Sequence, residues 1–135
     1  MSIKEEAIKL HGMGYNCAQS VIAACGKYTG LDEKTALAVS GGFGGGVRCG
    51  EICGAASGAV MALGLTSPYV DGADMEARNK IALLTKECTA RFKEQFGCIR
   101  CVELKQAGHP CDELIGFGAE LAEDIILKNQ DKQEN

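Results

Sequence analysis

No basic stripe runs through this chain: its 14 lysines and arginines are scattered among 18 acids, for a net charge of −4. That balance argues against a nucleic-acid binder or a binder of anionic membranes, and leaves small molecules or proteins as partners. Alternating runs of β-branched residues are missing too, so no sheet is expected. Neither an internal repeat nor a linker divides the 135 residues, apart from a polar tail at 129–135 that is expected to fray. The start, Met1-Ser2-Ile3-Lys4-Glu5-Glu6, carries acids where an export signal has basic residues before an apolar core, which points to the cytoplasm. One uncharged stretch, 52–70, holds a Gly54-x-x-x-Gly58 spacing, but its apolar part stops at Leu65, a length that suits a buried helix and not a membrane span.

What the chain has in excess is cysteine, eight in 135 residues. A chain of this length is one domain by size and buries a core without disulfides to hold it. In a reducing compartment so many thiols point to metal binding or redox turnover.

The secondary-structure signals are helical. Ser2 with Glu5, and Asn16 with Gln19, form capping boxes, so helices are expected to begin near residues 3 and 17. Asp32 caps a short helix that ends at Gly41-Gly42, and Gly50 or Glu51 precedes a helix of small residues ending near Gly64. The clearest helix covers 74–96, with Ala77, Ile81, Leu84, Cys88, Phe92 and Phe96 at steps of three and four, and Gly97 ends it. A last helix is expected from Asp112, burying Leu114, Phe117, Leu121 and Ile125. The fold class that follows is all-α: a single-domain bundle of five or six helices around a central Gly/Ala-rich helix at 51–64, whose small side chains let neighbouring backbones come close.

On this map Cys17 follows the Asn16 cap, Cys53 lies in a first turn after Gly50, Cys111 precedes the Asp112 start, and Cys101 opens a short helix at 101–106. Open amide donors and the positive end of the helix dipole favour thiolate over thiol, so lowered cysteine pKa values are expected at these positions, along with nucleophilic or metal-binding character.

The runs Asn16-Cys17-Ala18-Gln19-Ser20-Val21, Cys53-Gly54-Ala55-Ala56-Ser57-Gly58 and Phe96-Gly97-Cys98-Ile99-Arg100-Cys101, followed by Cys111, resemble a family of small redox-active proteins named for four shared cysteines and a Cys-Gly-Ala-x-x-Gly motif, the C_GCAxxG_C_C family. The resemblance covers nearly the whole chain. It implies that Cys17, Cys53, Cys101 and Cys111 are the four site cysteines. Similar modules attached to haem-binding cytochrome segments imply electron transfer through an iron–sulfur site, served by an unknown redox partner protein. Cys25 and Cys88 fall outside that pattern and suit a core role. Cys49 and Cys98 stay as alternates or resolving thiols, because Cys49 with Cys53, or Cys98 with Cys101, could put two sulfurs on one metal or in one disulfide.

Three readings of the site are therefore open. The first is an iron–sulfur cluster on four thiolates, although the dispersed order lacks ferredoxin spacing. The second is thiol–disulfide exchange at Cys98-Ile99-Arg100-Cys101 or at a Cys53 pair, although no βαβ setting surrounds the motif. A structural zinc site on the same four ligands is the third, although zinc usually takes close-spaced pairs.

Ser40-Gly41-Gly42-Phe43-Gly44-Gly45-Gly46 lacks the ending of a phosphate loop and is expected to be a bend that brings Arg48 and Cys49 near the site. His109 reads as a surface loop residue, and Arg48 and Arg100 either support a thiolate or are ordinary surface charges. A symmetric homodimer is the commonest assembly for a small soluble chain.

Overall fold

The computed structural model describes residues 1–134. Its long helices are α1 (Ile3–Gly12), α2 (Cys17–Ala24), α4 (Glu33–Ser40), α5 (Gly54–Thr66), α6 (Met75–Phe96) and α8 (Cys111–Glu134), with short α3 (Gly26–Thr29) and α7 (Cys101–Gln106) between them. The class is all-α, as expected; α7 is the short helix expected at 101–106, and α3 is added to the expected bundle. Among the described residues the only β pairing is one antiparallel bridge, Ile52 with Arg100. No helix of the described residues is long and apolar enough to cross a membrane.

The capping residues act where the sequence places them. Ser2 accepts from the Glu5 amide at 3.1 Å, Asn16 from the Gln19 amide at 3.0 Å, and Asp32 from the Thr35 amide at 3.0 Å. Gly97 ends α6 in the left-handed conformation, where a glycine has no Cβ penalty. Two helix starts differ from expectation. α5 begins at Gly54, three residues later than expected, because residues 51–53 are extended and pair with 99–101: the Cys53 amide donates to the Ile99 carbonyl at 2.9 Å and the Cys101 amide to the Glu51 carbonyl at 2.6 Å. α8 begins at Cys111 itself and runs on through the polar stretch to Glu134, with Asn129 buried; Asn135 lies outside the described residues.

One apolar cluster joins the helices, with Ile3, Val21, Leu63, Phe92, Leu104 and Ile115 among its buried members. α5 lies at its centre, packed on α2, α6 and α8, while α1 packs on α2 and α8. Those approaches depend on missing side chains. A Cβ at Gly58 would stand 2.7 Å from the Ala18 carbonyl oxygen of α2, and one at Gly118 of α8 would stand 2.9 Å from the Ala55 carbonyl oxygen of α5. Along α6 the expected stripe is fully buried only at Cys88, Phe92 and Phe96; Ala77, Ile81 and Leu84 are half-buried, because the first turns of this long helix reach past the core.

Cys25 and Cys88 are both fully buried in this cluster. Burial, with the Glu123 carboxylate adding to it, pushes the Cys25 thiol up to about 12, and burial pushes Cys88 up to about 11. In both, the folded state favours the neutral thiol more than the unfolded chain does. The resulting stability is fully present below the ordinary thiol value of 9.0 and is lost as pH rises toward the folded values. The reduced, metal-free protein should therefore melt at progressively lower temperature from pH 9 upward, and Cys25→Ala should flatten that decline.

Two glycines of α5 separate packing from propensity. Alanine is favoured over glycine in a helix interior by about 1 kcal/mol, whereas forcing an atom into a closed contact costs about 1–3 kcal/mol. Gly58→Ala should lower the melting temperature. Gly64→Ala, whose added Cβ meets nothing within 4 Å, should raise it.

Candidate functional site: a four-cysteine pocket

Four helices from distant parts of the chain begin at one small pocket of about 140 Å³, lined by Cys17, Cys53, Cys101 and Cys111. Cys17, Cys101 and Cys111 are the first residues of α2, α7 and α8, and Cys53 is the N-cap of α5. The Ile52–Arg100 bridge sets Cys53 and Cys101 side by side. Arg100 locks it from outside, donating to the Glu51 carboxylate at 3.0 and 3.2 Å. Its charge is therefore spent on an acid.

Gly54 lets α5 come up to α2 here, since a Cβ on it would lie 3.0 Å from the Ala18 amide nitrogen and 3.1 Å from the Cys17 Cβ. Asn16 caps α2 and also donates to the Gly41 carbonyl at 3.0 Å, which ties the glycine-rich loop to the pocket. In that loop Gly45, Gly46, Val47 and Arg48 all have φ between 58° and 63°, a full left-handed turn. Only glycine adopts this at no cost, and Val47 and Arg48 carry about 1–2 kcal/mol of strain each. A Cβ at Gly46 would collide with the Glu51 backbone at 2.5 Å. The turn presents Gly45 to the pocket and leaves Arg48 and Cys49 exposed and outside its lining, which corrects the expectation that the bend brings those two near the site.

Helix starts were expected to lower the thiol pKa values, and the structure reverses this for two of the four. Burial pushes Cys17 up to about 12, and the neighbouring Cys111, Cys53 and Cys101 add to it. Cys53 is also raised by burial, against the pull of the Ala55 and Ala56 amides that donate toward its sulfur. Desolvation and the crowding of like groups outweigh the helix ends. With no electrophile present, Cys17 and Cys53 are held as neutral thiols.

The other cysteines lie elsewhere. Cys25 and Cys88 are in the core, Cys49 is exposed and Cys98 is half-buried; neither Cys49 nor Cys98 lines the pocket. His109 is more than a surface residue: half-buried, it packs against the Phe96 ring at 5.1 Å, with Glu113 at 3.9 Å. The sequence reading missed two lining residues, His11 and Lys105. His11 belongs to α1, which carries no cysteine, and no local spacing connects it to the site.

Among the described residues, no three histidine, cysteine or acidic side chains are grouped to hold a metal ion. Cysteine sulfur is nevertheless the donor type of iron–sulfur sites, and four such donors around one pocket fit that chemistry.

No curated protein and no solved structure matches this sequence. A family model described as "Putative redox-active protein (C_GCAxxG_C_C)" does match, over residues 15–125, which hold all four pocket cysteines and the Cys53–Gly58 motif. The chain belongs to that redox-active protein family.

Proposed function

We propose that Cys17, Cys53, Cys101 and Cys111 hold an iron–sulfur cluster that exchanges single electrons with a partner protein. The observation that carries this reading is the convergence of four helix starts and four thiols on one pocket. Each helix start contributes partial positive charge and open amides, a field that suits a group of net negative charge such as a cluster bound by four thiolates. Burial, with mutual repulsion added, keeps Cys17 and Cys53 protonated, and that penalty is relieved when positively charged metal takes the place of the protons. When bound, the cluster supplies one-electron transfer. The protein's own part is to fix the four donors, shield them from water and aim the helix ends at them. A single zinc ion would need all four donors in one shell, with sulfurs at about 2.3 Å from the metal, whereas a polynuclear core takes donors standing further apart.

One observation favours a second reading. Cys111 is the neighbouring thiol that acts most strongly on Cys17. In thiol–disulfide exchange these two would give up two electrons and two protons to an oxidised partner's disulfide, forming one S–S bond as the partner's bond opens.

Protein purified without oxygen should carry iron and sulfide in equal amounts, with broad visible absorption that bleaches on reduction. Cys53→Ser should lose both elements. Cys88→Ser should keep both while losing about 1–3 kcal/mol of stability, the cost of a buried hydroxyl without a partner. A metal-free protein in which Cys17 and Cys111 form a reversible disulfide would replace the cluster reading with the second.

A further inference from the structure

His11 stands in the last turn of α1 and lines the pocket together with the four cysteines. Its Nδ1 lies 2.8 Å from the Asp112 carboxylate. Asp112 is the residue after Cys111, so this contact ties the imidazole to the first turn of α8, which Cys111 opens. When a carboxylate accepts the Nδ1 proton of a neutral imidazole, Nε2 is left with its lone pair. A histidine held in this way by a carboxylate, beside a cavity of soft donors, is the recurring arrangement of histidine ligands in metal sites.

The comparison within the chain sharpens the point. His109, the only other histidine, has its nearest carboxylate at 3.9 Å, packs on Phe96 and is not part of the pocket lining. Lys105, the remaining basic side chain of the lining, offers charge but no lone pair while protonated. Residue 11 also precedes the segment matched by the family model, 15–125, so membership of the family assigns it no role.

We propose that His11 is a fifth donor of the pocket, binding a metal atom through Nε2 at the Cys111 corner, with Asp112 as its orienting carboxylate. The proposal rests on the cluster reading and makes the ligation mixed: His11 takes the metal position of Cys111, whose thiol is then free to exchange.

The test uses full-length protein, isolated without oxygen or reconstituted with ferrous iron and sulfide, then reduced by one electron and examined by electron spin-echo spectroscopy. A directly bound imidazole should give strong nitrogen modulation that changes in [15N]histidine-labelled protein, an arm that needs no substitution. His11→Ala should abolish the signal and His109→Ala should leave it unchanged. Asp112→Asn should weaken iron retention about 10- to 100-fold. Cys111→Ser should keep its iron, and His11→Ala added to it should lose it. Uptake of iron and sulfide with no nitrogen coupling in wild-type protein overturns this proposal and leaves the four-cysteine cluster standing. Uptake of neither overturns both.

Discussion

Four helix starts cannot share one small pocket unless the bodies of the helices lie closer together than ordinary side chains permit. Here the closeness comes from α5, whose Gly54 and Gly58 admit α2, and from Gly118, which lets α8 reach Ala55. The Cys-Gly-Ala-x-x-Gly run thus has two physical parts. Its cysteine is the donor, and its glycines remove the atoms that would hold the other donors away. A glycine one turn from a cysteine is therefore as much a part of the site as the sulfur, although it touches no ligand.

Most of the helical framework was legible because it is locally encoded. Side-chain caps at Ser2, Asn16 and Asp32 bond within three residues of themselves, so reading them requires no tertiary knowledge. The start of α5 was placed three residues early for the opposite reason. What holds residues 51–53 out of the helix is a pairing with 99–101, nearly fifty positions away, and nothing at Gly50 or Glu51 announces it. The left-handed turn at 45–48 was equally hidden, because glycine predicts freedom and not handedness, and Val47 and Arg48 run against their own preference.

The gathering of Cys17, Cys53, Cys101 and Cys111 into one pocket followed from resemblance together with their shared place at helix starts. The protonation of Cys17 and Cys53 did not follow. A helix end favours the thiolate by a local field that is readable along the chain, whereas desolvation and mutual repulsion depend on how many thiols the fold brings together and how much water it expels. The first can be read from Asn16 and Gly50; the second exists only in three dimensions. His11 escaped for a related reason, since its partner Asp112 lies at the other end of the chain.

The spread of the donors along the sequence also orders events during synthesis. A chain leaving the ribosome exposes Cys17 and Cys53 long before Cys101 and Cys111, and α8, which carries the last donor, is made after the other three donor-bearing helices. An incomplete chain thus lacks half of the pocket, and its early thiols have no preformed cavity in which to trap a stray ion. Completion of α8 and completion of the pocket become the same event, so this helix acts as the gate on when the thiols can be put to use.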